Sequence, residues 1–339
     1  MTESTAAESS DARLRFIVDS LAKGIVVPFL GAGVNCCGRP AKFLWQDGSP
    51  YLPQGGELSA YLADVANYPK TSQDERRNLS RVAQYFSTMV GVGRLQSELR
   101  TIFASEYQPT AVHRFFARLP KLLRDRNYPR FDSDRKGFEL LIFTTNYDDL
   151  LERAFREEGV EFDLLIYKAP TNNRAWFLHV PPKGEPVHIT EPNSYSAVSL
   201  DERPVIVKIH GAVDRVNPKD DCYVITEDDY IDYLAGADLQ DFLPAVINEE
   251  LVNSHFLFMG YSLQDWNLRV FLKRIWDQQA NRTFKSWAIQ RNVEEIEREL
   301  WRSRNVDIID ASLESCMDEM TNRADALPPL PARKVSDAR

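Results

Sequence analysis

The chain reads as an α/β protein, a doubly wound, mainly parallel sheet of about six strands with a helical insertion. Three observations point there. Short apolar runs of strand length recur along it: IVVPFL, ELLIF, PVIVKI, HFLFM, SWAIQ and VDIID. Segments with apolar residues at helical spacing separate most of these runs, the alternation that a parallel sheet requires. Four of the runs end in glycine-bearing or polar turns, GAGVN, TTNYD, HGAVD and GYS. In a parallel sheet the carboxyl ends of the strands open on one edge, where ligands bind.

Taken in order, the first ten residues are polar and lack an apolar core segment, so they read as a disordered tail and not as a secretion signal. Leu14, Ile17, Val18 and Leu21 share one face of a helix over 11–23, which Gly24 closes ahead of IVVPFL. Residues 36–69 are rich in Gly, Pro and Tyr and read as a long loop. There Phe43, Trp45 and Tyr51 either cover the crevice or pack beside it. Amphipathic helical patterns then run from Thr71 to about Arg126, and YPRFDSDRKG leads back to the strand ELLIF. We expect one domain over 11–326, with the helical insertion spanning about 50–135.

After TTNYD, the residues Leu150, Leu151, Ala154 and Phe155 recur at helical spacing. Residues 161–200 hold short extended stretches, FDLLIY, FLHV and PVHI, broken by Pro, Asn and Gly, and suggest irregular structure or small hairpins near the crevice. PVIVKI ends in His210-Gly211, and CYVIT at 222–226 is expected to pair as a further strand. Thr226 and Asp229 have helix-entry capping spacing. HFLFM repeats the strand, turn and helix arrangement of the TTNYD stretch, with Leu268, Phe271, Leu272 and Ile275 as its helical stripe. SWAIQ and VDIID flank the helix NVEEIERELW, and the Pro-rich, charged segment 327–339 is expected to be disordered.

Composition excludes several classes of function. With 43% apolar and 27% charged residues, and no window near the ~20 apolar residues that cross a bilayer, a soluble cytoplasmic protein is expected, with no membrane contact. The 41 basic against 50 acidic residues argue against a surface built for nucleic-acid backbone. Cys36, Cys37, Cys222 and Cys316 form no CxxC pair, so neither a zinc ribbon nor another metal site is expected.

Gly31 and Gly33 free the backbone to turn tightly and approach a ligand where side chains would collide. A full GxGxxG would place glycine at 36, where Cys36 stands, so a plain tight turn is the competing reading. An isolated Asn-x-Asp is usually a turn former, and an isolated histidine is usually a satisfied core or surface residue. The convergence of four such turns on one edge carries the inference.

In order and content these turns resemble the sirtuin family, whose core is a Rossmann-like domain that binds NAD. The likeness covers roughly 24–35 and 138–292. It lies in Gly31-Ala32-Gly33, Thr144-Thr145-Asn146-Tyr147-Asp148, His210-Gly211 and Gly260-Tyr261-Ser262. The chain departs from the deacylases of that family. It has no four-cysteine zinc module, Thr145 stands where glutamine precedes the catalytic asparagine, no Asp-Phe-Arg follows the glycine loop, and Gln290 stands where a ribose-binding asparagine is expected. A closer likeness is to the sirtuin-like domains of bacterial antiphage systems, carried by PFLGAGVN, FTTNYDDLLE, TEDDY and MGYSLQDWNLR.

That resemblance implies hydrolysis of NAD to ADP-ribose and nicotinamide, depleting the cell, with NAD as substrate and no metal. It implies Asn146 and His210 as catalytic residues, and binding by Gly31, Ala32, Gly33, Asn35, Thr145, Asp148, Gly260, Ser262 and Gln290. It also implies a homo-oligomer, or a partner such as a HerA-type ATPase or a short Argonaute, as the source of activation. The chemistry asks little of the protein. Nicotinamide is a good leaving group, so positioning and a polarised water suffice. Asn146 offers an amide that orients water. His210, with an ordinary histidine value of about 6.5, accepts a proton from a ribose hydroxyl or from that water. A zinc-free deacylase, an ADP-ribosyltransferase and a non-catalytic NAD- or ADP-ribose-binding subunit are the alternatives.

Overall fold

The computed structural model describes residues 3–69, 72–128, 131–132, 135–136, 139–171, 174–235, 241–261, 266–279 and 284–331. The chain opens with α1 (Glu3–Ala22) and β1 (Val26–Leu30), followed by five helices, α2 (Gly55–Val65), α3 (Gln73–Arg76), α4 (Leu79–Met89), α5 (Val92–Phe103) and α6 (Ala111–Asp125). A small ribbon, β2 (Phe131–Asp132) and β3 (Arg135–Lys136), precedes β4 (Leu141–Thr144), α7 (Leu150–Glu157), β5 (Asp163–Thr171), β6 (Arg174–Val180), β7 (Val187–Ile189) and β8 (Val205–Lys208). Then come β9 (Gly211–Ala212), β10 (Cys222–Tyr223), α8 (Glu227–Ala235), α9 (Ala245–Val252), β11 (His255–Met259), α10 (Trp266–Gln278), β12 (Ser286–Ile289), α11 (Glu295–Arg302), β13 (Val306–Ile309) and α12 (Leu313–Ala326).

The central sheet has the order β13-β12-β11-β1-β4-β8-β5-β6-β7. Its first six strands are the six read from the sequence, all parallel, and β5 joins them in the same direction. Helices cover both faces. Leu14, Ile17, Val112, Phe116, Leu151, Phe155 and Met317 pack on one, while Ile247, Leu251, Leu272, Ile275 and Trp301 pack on the other. Strands buried on both faces read as unbroken apolar runs, which is why they were visible in the sequence.

Three expectations change. FDLLIY, FLHV and PVHI are not irregular. They form β5, β6 and β7 and widen the sheet to nine strands, because Leu164, Leu165, Ile166 and Tyr167 bury side chains on both faces. CYVIT does pair as a further strand, but only over Cys222–Tyr223 and outside the central sheet. Gly211, at φ +86°, turns the chain away, and Cys222 and Tyr223 pair with Ala212 and Gly211 in a separate ribbon. The first helix begins at Glu3 and not at 11. At the other end, the Leu330 N–H reaches the Arg126 carbonyl at 2.8 Å and Leu327 is buried. Among the described residues no helix is long and apolar enough to cross a membrane.

The helices between β1 and β4 build a third small core from Leu58, Leu62, Val82, Phe86, Leu95 and Leu99. That core is closed by Tyr147, Leu150, Val213, Tyr223 and Ile225, which belong to the segments after β4 and β8. Tyr147 lies edge-on to Phe103 and Tyr223, and its hydroxyl donates to the Val224 carbonyl at 2.6 Å. The insertion is therefore packed against the turns at the sheet's carboxyl edge.

Two buried groups hold those turns. Lys208, at the end of β8, is 1% exposed. Its ammonium donates to the Glu152 carboxylate at 2.9 Å and to the Asp148 carbonyl, tying α7 and the β4 turn to β8. Burial pushes the Glu152 carboxyl up, against the pull of Lys208. His113, buried at the start of α6, accepts the Thr110 N–H at 3.0 Å, while the Thr110 hydroxyl donates to the Val34 carbonyl of the glycine loop at 3.0 Å. Burial lowers the His113 imidazole to about 4, with Asp148 pulling it up and Lys208 and Arg114 pushing it further down.

Removing one member of a buried pair strands the other charge. Lys208→Met is expected to cost about 3 kcal/mol in urea unfolding, and Lys208→Met with Glu152→Leu less than the single change; a single variant as stable as the parent contradicts this. For His113 the folded value lies below the unfolded one. Its neutral form stabilises the fold above about pH 6.5, and that stability is lost as pH falls towards 4. Between pH 7.5 and 5 the loss is about 2 kcal/mol. His113→Gln should flatten that part of the profile, and an unchanged slope would show the group is not responsible.

Candidate active site

The registers of the parallel strands put five residues in one row: Ile289, Met259, Leu30, Thr144 and Lys208, on β12, β11, β1, β4 and β8. Whatever follows these residues leaves the sheet side by side, one strand spacing of ~4.8 Å apart. Along the edge stand Gln290, Gly260, the glycine loop from Gly31, the Thr145-Asn146 turn and the Ile209-His210 turn. Residues that are 64 positions apart in sequence, Asn146 and His210, thus follow adjacent strands.

The glycines serve close packing. The Gly31 N–H donates to the Met259 carbonyl at 2.9 Å and the Gly33 N–H to the Gly260 carbonyl at 2.8 Å. A Cβ on Gly31 would stand 2.7 Å from the Gly260 oxygen, and one on Gly33 2.8 Å from the Gly260 Cα. Gly260 itself has φ +71°, a conformation that favours glycine, and a Cβ there would stand 2.4 Å from the Val34 nitrogen. The N–H groups of Gly31 and Gly33 are thus spent on Met259 and Gly260. Between them Ala32 is exposed.

The β4 turn is pinned from both sides. The Thr144 hydroxyl donates to the Leu30 carbonyl at 2.8 Å and accepts the Asn146 N–H at 3.0 Å. The Thr145 N–H reaches the same Leu30 carbonyl at 3.3 Å. The Asn146 amide nitrogen donates to the Gly31 carbonyl at 3.2 Å, which fixes the amide plane. Its oxygen is buried and has no hydrogen-bond partner among the described residues. The same holds for the amide oxygens of Asn35 and Gln290. Buried acceptors left unpaired in this way are rare and costly, and such groups mark a place where a donor from outside belongs.

Asp148 is held within the protein by both of its carboxylate oxygens. One carboxylate oxygen accepts the Asn35 amide at 2.7 Å, and the other accepts the Leu150 N–H at 3.1 Å, at the entry to α7. Both oxygens are engaged within the protein, so Asp148 locks the glycine loop to the β4 turn. His210 is 4% exposed, its carbonyl accepts the Val224 N–H at 3.0 Å, and its ring faces Tyr230 and Tyr233 of α8. Ser262 lies outside the described residues.

The sequence reading missed several residues that shape this edge. Lys208 carried a signal, a single cation inside the β-branched run PVIVKI, since lysine is almost never fully buried without a partner. Its partner Glu152 looked like an ordinary helix residue. His113 and Thr110 were hidden as a helix start. Arg215 clamps both Asp149 oxygens at 2.9 and 2.7 Å and the Ala104 carbonyl at 2.7 Å, joining the β8 turn to the insertion. No local pattern announced it. Among the described residues no group of three or more His, Cys, Asp or Glu side chains is placed to hold a metal ion.

A family model described as a SIR2-like domain matches residues 140–309, from β4 to β13. The NAD(+) hydrolase ThsA of Acinetobacter baumannii (strain 532279) is 28% identical over 205 residues, 60% of this chain and 32% of that protein. That of Enterococcus faecium is 27% identical over 216 residues, 63% of this chain and 35% of the relative. That of Cytobacillus dafuensis is 24% identical over 214 residues, 63% and 33% respectively. The chain spans about a third of the length of these curated relatives. With half of its length matched by one family model, the chain belongs to the SIR2-like domain family.

Proposed function

We propose that the chain is an NAD+ glycohydrolase, cleaving NAD+ to ADP-ribose and nicotinamide. The observation that carries the reading is the Asn146 amide, its nitrogen anchored on the Gly31 carbonyl and its oxygen buried without a partner among the described residues, in the turn after the strand next to the one that His210 follows. The three related NAD(+) hydrolases support the substrate.

A dinucleotide laid across the row would put the nicotinamide ribose over Asn146 and His210, the pyrophosphate over Gly31 to Gly33 beside exposed Ala32, and the adenosine towards Gly260 and Gln290. The bond between the nicotinamide nitrogen and the ribose C1′ breaks, and its electron pair neutralises the pyridinium. The ribose then carries oxocarbenium character. A water held by the Asn146 oxygen adds to C1′, and His210 takes its proton, so that water, ADP-ribose, nicotinamide and one proton balance. Thr145 and Asn35 line the turn, and Asp148 acts by holding Asn35 and the start of α7 in place. In this reading the protein is an antiphage effector that depletes cellular NAD once an oligomeric state or a partner, a HerA-type ATPase or a short Argonaute, activates it. The fit of the loop and turn motifs to antiphage sirtuin-like domains supports that role.

The test is to incubate the purified chain with NAD+, alone and with the product of the neighbouring gene, and to resolve nicotinamide and ADP-ribose. Asn146→Ala and His210→Ala are each expected to lower release at least ~100-fold with unfolding midpoints near that of the parent. Release undiminished in both variants would overturn the assignment.

A further inference from the structure

His210 is not oriented by its own turn alone. Its ring meets Tyr230 at 5.7 Å with planes 71° apart and Tyr233 at 5.5 Å with planes 86° apart, both on α8. Near-perpendicular aromatic contacts of this kind set the positive edge of one ring against the face of another and favour one ring orientation. Tyr233 is backed in turn by Tyr167 of β5, at 5.1 Å and 72°. Two aromatic rings on one helix therefore bracket the imidazole, and the sheet supports one of them.

The position of α8 is set by two further groups of bonds. Thr226 and Asp229 cap its start reciprocally, the Asp229 N–H donating to the Thr226 hydroxyl at 3.0 Å and the Thr226 N–H to the Asp229 carboxylate at 2.8 Å. The other group crosses from the helical insertion. Gln84 on α4 accepts the Asp228 N–H at 3.0 Å and donates to the Asp228 carboxylate at 2.8 Å. Position 84 thus reaches 144 residues along the chain to the helix that seats the histidine.

The geometry points to Tyr230 and Tyr233 as positioning residues for His210, and to Gln84 as the contact through which the insertion keeps them there. The inference rests on the hydrolase reading, in which His210 accepts the proton of the attacking water. The rings take no proton. They hold the imidazole plane against the turn, so that its nitrogen faces the same point in every turnover, and misplacement of a reacting group is costly to kcat. The insertion thereby becomes part of the catalytic geometry without touching the substrate.

The experiment compares Tyr230→Leu/Tyr233→Leu, Tyr230→Phe/Tyr233→Phe and Gln84→Ala with the parent chain, in nicotinamide release and in the NMR shifts of the His210 ring protons. The double leucine variant is expected to lower kcat roughly tenfold or more, with KM for NAD+ within about twofold and the ring-current shift at His210 lost. The double phenylalanine variant should keep both. Gln84→Ala removes none of the three rings and frees only the α8 contact, at a part-exposed site, and keeps the test open if the leucine pair does not fold; it should lower kcat about threefold or more with an unchanged thermal midpoint. Parental kcat in the leucine pair and in Gln84→Ala, or His210 shifts unmoved by loss of both rings, overturns the inference. The shifts are read without substrate, so a parent chain that releases no nicotinamide, alone or with the product of the neighbouring gene, counts against the hydrolase reading and is distinguishable from failure of the clamp.

Discussion

The buried ammonium of Lys208 is the contact on which the rest of the edge depends. It sits at the last residue of β8, and through Glu152 and the Asp148 carbonyl it fixes where α7 begins. The start of α7 in turn fixes Asp148, whose carboxylate holds Asn35 and with it the glycine loop. A charge this deep costs several kcal/mol to bury and is tolerated only when every partner is in place. The arrangement is therefore close to all-or-none, and it gives the carboxyl edge one geometry.

Around that point the edge is built by mutual crowding. The glycine loop fits against Gly260 only because neither side carries a Cβ, and the Asn146 amide then finds the Gly31 carbonyl at 3.2 Å. From below, His113 and Thr110 hold the loop at Val34. From above, the insertion completes its own core with Tyr147, Val213 and Tyr223, and Arg215 ties it to Asp149. Each turn at the edge thus has two independent supports. The amide oxygens of Asn35, Asn146 and Gln290 are buried acceptors with no hydrogen-bond partner among the described residues.

Much of this was legible in the sequence, for reasons that also explain what was not. Strands buried on both faces announce themselves as apolar runs, and glycines forced by close approach survive as GAG and as Gly260, so the six strands and the row of turns could be read directly. FDLLIY and FLHV were harder. Pro, Asn and Gly punctuate them, and such breaks look the same in an irregular loop as between the hairpin-linked strands β5, β6 and β7. Distant pairings left no trace at all. Nothing local to Asp148 says that Asn35 will occupy it, and an aspartate that caps a helix looks the same as one that meets a ribose. Lys208 was the exception, since a lone lysine inside VIVKI asks for a buried partner even before that partner is known.

The central claim is that one sugar ring lies between Asn146 and His210. The most direct measurement is the structure of the chain with ADP-ribose bound. The account predicts the terminal ribose within about 3.2 Å of the Asn146 amide oxygen and of a His210 ring nitrogen, directly or through one water, with the pyrophosphate over Gly31 to Gly33. A ligand bound elsewhere, or a ribose out of reach of both side chains, would contradict it.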